Sequence, residues 1–168
     1  MTLMPASPTD LFTFLDQHAI AHKTVQHEAT FTVDEGRDLK ASMPGGHSKN
    51  LFMKDKDGVL VLISAWAESQ LRLNQLHKVI GTRRLSFASA ELMYDHLGVL
   101  PGSVTAFGLM NDGSQKVRFI ADAALLRFDT VNFHPLVNTA TTAISQRDLR
   151  RFVEATGHAL TEVDFSDL

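Results

Sequence analysis

The sequence predicts an α+β domain, a mixed sheet with helices at its periphery, on three observations. The chain has 168 residues, 44% apolar and 21% charged, the size and balance of one globular unit able to bury its own core. Helical and strand periods follow one another from the start, and strands dominate the middle third. No internal repeat, linker or low-complexity tract interrupts it, so residues 1–168 read as a single domain.

Ser7-Pro8-Thr9-Asp10 opens a helix, with Ser7 as cap, Pro8 at the first helical position and Leu11, Phe14 and Leu15 at helical spacing. His22 to His27 alternates as a short strand, and Thr32-x-x-Glu35 is a capping box that starts a second helix. After Met43-Pro44-Gly45-Gly46, Asn50 to Lys54 and Val59 to Ala65 flank Asp55-Lys56-Asp57-Gly58 as a hairpin, the second strand apolar on both faces and therefore central. Glu68 to Ile80 is expected to be a helix stopped by Gly81, Leu85 to Phe87 a strand, and Ser89 the cap of a helix through Leu97. Val104 to Phe107 and Val117 to Ala121 read as strands, Ser145 caps a last helix closed by Gly157, and Leu160 to Phe165 alternates as a terminal strand.

Composition excludes whole classes of chemistry. There is no cysteine, so disulfides, a thiolate nucleophile and thiolate-bound metal are ruled out. The first eight residues lack the basic and apolar regions of a secretory signal. The longest apolar run, Val59 to Ala67, falls far short of the ~18 residues of a membrane span. A cytoplasmic location without a membrane partner is expected. Sixteen basic against nineteen acidic residues, a net charge of −3, argue against indiscriminate binding to nucleic acid but leave room for a local basic patch, and no DNA partner is expected.

Two turns carry candidate chemistry. Pro44 to Phe52 delivers Lys49 and Asn50 from a glycine loop onto a strand; no Ser or Thr follows the lysine, so a nucleotide-hydrolysing phosphate loop is disfavoured. A glycine turn with a solvated lysine accounts for the same residues. Phe133-His134-Pro135-Leu136-Val137-Asn138 places an imidazole and a carboxamide on one turn, where either orients a carbonyl or a ribose hydroxyl, or where the asparagine merely satisfies its own backbone. The eight histidines form no HExxH and no close His/Asp cluster, so no metal is expected. Basic groups gather at Lys78, Arg83 and Arg84 and on the last helix at Arg147, Arg150 and Arg151; a solvated surface explains them as well as an RNA backbone does.

In order along the chain, Gly46-His47-Ser48-Lys49-Asn50-Leu51-Phe52, Arg84-Leu85-Ser86-Phe87-Ala88-Ser89, Leu97 to Val104, Phe107-Gly108-Leu109 and Val131-x-Phe133-His134-Pro135-Leu136-x-Asn138 resemble the aminoacyl-tRNA trans-editing family. This is the YbaK/ProX type, related to the insertion domain of bacterial prolyl-tRNA synthetase, and the likeness is greatest to the stand-alone branch that removes alanine from tRNA for proline. The resemblance implies a compact α+β domain with a mixed, mostly antiparallel, barrel-like sheet, and neither cofactor nor metal. It also implies hydrolysis of the ester between an amino acid and the terminal ribose, with mischarged tRNA for proline, and in some settings prolyl-tRNA synthetase, as partners. Serine or cysteine as the amino acid removed, and a non-catalytic tRNA-binding relative, are the alternatives. Carried over by position, Lys49 and Asn50 match the essential lysine and its neighbour, Gly108 the glycine beside the scissile ester, and His134 the histidine of the His-Pro turn. Ala106 stands where many relatives have proline.

An aminoacyl ester is already activated, so a site that positions water and stabilises the developing oxyanion suffices without a strong base. Lys49 is the expected source of positive charge, with backbone N–H groups near Gly108 and the ribose 2′-hydroxyl assisting. Phe31, Thr32 and Val33 are expected to line the amino-acid pocket, since that segment faces the glycine loop in the resembling family; packing at the helix start uses the same residue types. Asn138 is expected to touch substrate, and Arg83, Arg84, Arg147 and Arg151 to touch tRNA.

Overall fold

The computed structural model describes residues 4–29 and 32–167, the side chains of 33 and 167 excepted. The helices are α1 (Pro8–Gln17), α2 (Val33–Ser42), α3 (Leu76–Ile80), α4 (Ala90–Leu97), α5 (Ala123–Leu126) and α6 (Gln146–Ala155). The strands are β1 (Lys23–Gln26), β2 (Gly46–Lys54), β3 (Leu60–Trp66), β4 (Ser86–Phe87), β5 (Val117–Asp122), β6 (Thr130–Phe133), β7 (Ala140–Ser145) and β8 (Leu160–Val163). This is an α+β domain. The sheet runs in the order β1-β7-β6-β2-β3-β5-β8, with β4 added beside β2. It is mixed: β1–β7, β2–β3, β2–β4 and β6–β7 are antiparallel, while β2–β6, β3–β5 and β5–β8 are parallel.

Local chemistry places the helix starts where the sequence predicts them. Ser7 with Asp10 and Thr32 with Glu35 each complete a reciprocal capping box, and Ser89 and Ser145 cap α4 and α6. The hairpin turn is built on Asp55, whose Oδ1 accepts the N–H groups of Asp57 and Val59, each at 2.9 Å. Strand β3 is central: Leu60 and Leu62 enter one core cluster with the α1, α4 and α6 residues Leu11, Leu97 and Phe152, while Val61 and Ile63 enter another with Leu76, Ile80 and Phe165.

Three expectations are corrected. The helix expected over 68–80 is α-helical only at Leu76–Ile80, after a 3-10 turn at Leu73–Gln75; Leu76 is buried but Leu73 is exposed, so the leucines do not form one stripe. The strand expected at 104–107 is instead a 3-10 turn, Ala106–Asn111, because the Thr105 hydroxyl accepts from the Phe107 N–H and the Thr105 carbonyl from the Gly108 N–H. The terminal strand stops at Val163, and Phe165 begins another 3-10 turn. No helix among the described residues is long and apolar enough to cross a membrane.

Strand β2 changes partners along its length. Gly46 and His47 pair in parallel with Val131 and Asn132 of β6, whereas Ser48 to Lys54 pair antiparallel with β3. The two turns that carry candidate chemistry in the sequence meet at that change of partner.

Candidate functional site

Two glycines bring β2 close to its neighbours. Gly45 has φ +107°, and a Cβ there would lie 2.4 Å from the Thr130 carbonyl oxygen; one on Gly46 would lie 2.6 Å from the Phe128 ring. Only glycine permits this approach, which sets His47 and Ser48 against the end of β6. The Ser48 hydroxyl donates to the Asn132 carbonyl at 2.7 Å. Above this junction lies α2, and between helix and sheet is a cavity of about 170 Å³. Gly36, Leu39 and Lys40 of α2 form one wall; His47, Ser48, Asn132, Phe133, His134 and Thr141 form the other, with Ala67 at the edge. Leu39 also borders an adjoining groove of about 720 Å³ whose lining includes His27 and the carboxylates Glu28, Glu35 and Asp38.

The imidazoles of this cavity are held neutral. Burial pushes His134 below the ordinary histidine value, assisted by neighbouring His27 and opposed by the hydrogen bond to the Ala140 carbonyl. His47 is lowered likewise, chiefly by burial, with Lys40 adding to the shift and the Met43 carbonyl opposing it. A carbonyl only accepts, so the 3.1 Å contact to Ala140 makes His134 Nδ1 the N–H donor and leaves Nε2 with a lone pair. His27 packs 6.3 Å from His134, ring centre to ring centre, and its Nε2 meets the Thr141 hydroxyl at 2.8 Å.

Lys49 does not line this cavity. Its ammonium donates to the Ser69 carbonyl, and the Ser69 hydroxyl in turn donates to Asp122 Oδ2 at 2.6 Å. Buried Asp122 also accepts the N–H groups of Trp66 and Ala124. The segment that holds Lys49 nevertheless edges the cavity two residues earlier, at Ala67, whose N–H donates to the His47 carbonyl at 2.8 Å. Asn50 is fixed on β2 by donating to Ser48 Oγ at 3.0 Å and accepting from Ser64 Oγ.

Other predicted residues lie elsewhere. Gly108 is buried in the 3-10 turn, its N–H given to Thr105 at 3.0 Å; a Cβ there would lie 3.0 Å from both the Cβ and the carbonyl oxygen of Leu97. Its amide is thus spent within the fold, and its smallness serves packing against α4. Asn138 is half-buried beside Gly102, where its Nδ2 would lie 3.4 Å from an added Cβ. Thr32 caps α2 through its hydroxyl. Phe31 lies outside the described residues, and Val33 is described only as the first residue of α2.

Among the arginines, Arg83 and Arg84 are exposed, Arg83 lying 4.0 Å from Asp57. Arg147 is exposed and forms no ion pair among the described residues. Arg151 differs: its guanidinium pairs with Asp148 at 2.8 Å and donates to the His18 carbonyl at 2.6 Å, tying α6 to the end of α1. Sequence reasoning passed over Asn132, which stands inside the Val131-to-Asn138 pattern as an unmarked position. It also passed over the buried pair His158–Asp112, at 2.8 Å. The described residues contain no group of three or more His, Asp or Glu side chains placed to hold a metal.

A family model for the aminoacyl-tRNA editing domain matches residues 27–152, which include both walls of the cavity. The chain belongs to the aminoacyl-tRNA editing domain family. Within it, the chain is 37% identical over 145 residues to the mouse prolyl-tRNA synthetase associated domain-containing protein 1, covering 83% of this chain and 85% of that protein. It is 30% identical over 151 residues to the prolyl-tRNA editing protein ProX of Acetoanaerobium sticklandii, covering 89% and 92%. A solved structure of a candidate trans-editing enzyme for prolyl-tRNA synthetase superposes with a TM-score of 0.70 over 95% of this chain and 98% of the other, at 18% identity. That likeness establishes the fold of this editing domain; the relatives tie its family to prolyl-tRNA.

Proposed function

We propose that this editing domain is a trans-acting deacylase that hydrolyses the ester of tRNA for proline mischarged with alanine. The observation that carries the reading is the small cavity between α2 and the switch point of β2. Its 170 Å³ is the share of about five or six waters, which suits a small aminoacyl group. The walls combine apolar Leu39 and Phe133 with neutral imidazoles, so the site orients an ester and offers no strong base.

In this reading the ester carbonyl sits at the cavity mouth and His134 Nε2 accepts a hydrogen bond from substrate or water. Lys49 leaves the Ser69 carbonyl to meet the oxyanion or the terminal phosphate, where one positioned cation lowers the barrier by stabilising charge that develops only in the transition state. Asn50, locked between Ser48 and Ser64, keeps that stretch of β2 straight. The ribose 2′-hydroxyl helps to activate water. On the RNA side, Lys54, His96 and Lys116 border a cleft of about 480 Å³ with no carboxylate in its lining, and Lys54 pairs with Ser86, two residues from Arg84. This end of β2 suits the phosphates of an acceptor stem. A cytoplasmic site of action, and contact with prolyl-tRNA synthetase, belong to the same reading.

The test is deacylation of a panel of mischarged tRNAs, carrying alanine, serine, cysteine or correct proline, by wild type and Lys49→Ala. Rapid release of alanine alone, abolished in Lys49→Ala with the melting temperature unchanged, is expected. Release of serine or cysteine in preference reassigns the substrate, and tRNA binding without turnover of any ester leaves a binding protein. Wild-type rates in Lys49→Ala overturn the role of that lysine.

A further inference from the structure

The loop that carries Ser69 borders a further pocket. Strands β3, β5 and β8 are adjacent and parallel, and a space of about 500 Å³ opens at their carboxyl ends, bordered by Trp66, Asp122 and Asp164. That is the end of a parallel sheet at which open α/β folds take their ligands. Arg72 and Arg127 border it too. Both are exposed, and neither guanidinium makes a hydrogen bond or an ion pair among the described residues. The two carboxylates, by contrast, are already engaged. Buried Asp122 accepts from the Ala124 N–H through Oδ1 and from the Trp66 N–H and the Ser69 hydroxyl through Oδ2. Asp164 Oδ1 accepts the N–H of Ser166 at 2.9 Å and its hydroxyl at 2.6 Å; Ser166 thereby holds that carboxyl below its ordinary value, and Arg127 adds to the shift. Arginine donors are what the pocket has to offer, and their planar fork suits phosphate.

The pocket adjoins the site already described. Ser69, which borders it, is the residue whose carbonyl holds the Lys49 ammonium, and Ala67 edges the cavity beneath α2. Residues 67 and 69 are two Cα steps apart, at most about 7 Å, and a stacked strand of nucleic acid rises about 3.4 Å per nucleotide. One or two nucleotides therefore bridge from cavity to pocket. The 3′ end of a tRNA is single-stranded, and half-buried Trp66 supplies beside the arginines the aromatic side chain on which unpaired bases stack. We infer that Arg72 and Arg127 bind the phosphate that joins the two cytidines of the acceptor end, one nucleotide before the phosphate assigned to Lys49. This rests on the reading proposed above for the identity of the ligand. The two arginines become substrate-binding residues that position the ester over the cavity without touching it.

The test measures binding alone and so does not depend on hydrolysis. Two stable analogues of the acceptor end are compared: cytidylyl-cytidylyl-3′-deoxy-3′-(L-alanylamino)adenosine, and the same trinucleotide with a neutral methylphosphonate between the cytidines. Wild type is expected to bind the charged analogue about five- to thirtyfold more tightly, the worth of one or two exposed charge pairs, and the ratio should shrink as salt rises. In Arg72→Gln/Arg127→Gln, whose side chains are exposed and make no hydrogen bond, the two analogues should bind alike. Asp164→Asn, which keeps an oxygen for Ser166 and removes the carboxylate that interacts with Arg127, should widen the ratio. Equal affinities in wild type, an undiminished ratio in the arginine variant or a ratio narrowed by Asp164→Asn overturns the inference. So does a ratio erased by inorganic phosphate equimolar with the analogue, which marks a site for free anions. If the ratio holds but no mischarged tRNA is hydrolysed, the proposed reaction fails and the phosphate site remains.

Discussion

Gly108→Ala separates a packing glycine from a catalytic one. The resemblance places Gly108 beside the scissile ester, but the structure buries it against the last residue of α4. An added Cβ would stand 3.0 Å from both the Cβ and the carbonyl oxygen of Leu97. One of those atoms is backbone, anchored in a helix end where the Asn111 amide also donates to the Leu97 carbonyl at 2.9 Å, so relief requires the 3-10 turn to shift. Overpacking of this kind costs about 1–3 kcal/mol, and at roughly 2–4 °C per kcal/mol for a domain of this size the melting temperature should fall by about 2–12 °C. Thermal and urea melts measure the loss, and deacylation well below the melting temperature measures the activity per folded molecule, which should stay within about twofold of wild type. A variant that melts like wild type yet has lost its turnover would refute the packing argument and restore the glycine to the reaction centre.

The buried imidazoles give a pH dependence of definite sign. Because His134 and His47 are held below the ordinary value of about 6.5, the unfolded chain takes up protons first. Their contribution to stability is therefore complete above that pH and lost as pH falls from it towards the lowered values; deacylation should likewise fail only below about pH 6.5, and an acid limb at or above that value contradicts a neutral His134. Arg147→Ala should weaken tRNA binding a few-fold and flatten its salt dependence by about one unit of slope, whereas Arg151→Ala, losing its ties to Asp148 and His18, should lower stability by about 1 kcal/mol or less and leave that slope unchanged. The reverse pattern in a salt titration would exchange their roles. His158→Ala removes the 2.8 Å hydrogen bond to buried Asp112 Oδ2, which keeps the Val117 N–H, and should cost about 1–3 kcal/mol in a urea melt, with no change in which ester is cleaved.

The parts of this fold that sequence reasoning captures are those written in local chemistry. Capping boxes at Ser7 and Thr32, the Asp55 turn and the doubly apolar run of β3 depend on neighbours within a few residues. Strands β6 and β7 escape because Thr130–Phe133 is short and four of the six β7 residues are threonine or alanine; they are strands through pairing with each other, β6 also with β2 and β7 with β1, contacts distant in the chain. The site divides in the same way. Lys49, Asn50 and His134 stand out by residue type, but Asn132 becomes notable only when the carbonyls of Pro44 and Gly46 fix which end of its amide is left over. Arg151 illustrates the converse. Helical spacing puts it beside Arg147, and only the tertiary contact with the His18 carbonyl shows that its guanidinium is already employed.

The proposed reaction also requires that alanine be told from proline. A size filter alone is weak, since one methylene in an apolar pocket separates substrates by only about 10–200-fold, whereas a site built to satisfy a hydrogen-bonding group rejects a ligand lacking it by about 10⁴–10⁵. Alanyl esters carry a primary ammonium, while the prolyl nitrogen replaces one N–H with a ring carbon. Against an acceptor such as His134 Nε2, that carbon removes a donor. Two isomers separate the effects. A 2-aminobutyryl ester lengthens the side chain by one carbon and keeps the primary ammonium; an N-methylalanyl ester places the same carbon on nitrogen. On tRNA for proline, 2-aminobutyryl should be released about 10–200-fold more slowly than alanine, and N-methylalanyl at least a further tenfold more slowly. If the two isomers are slowed equally, wall geometry alone sets the selectivity and the donor count of the nitrogen plays no part in it.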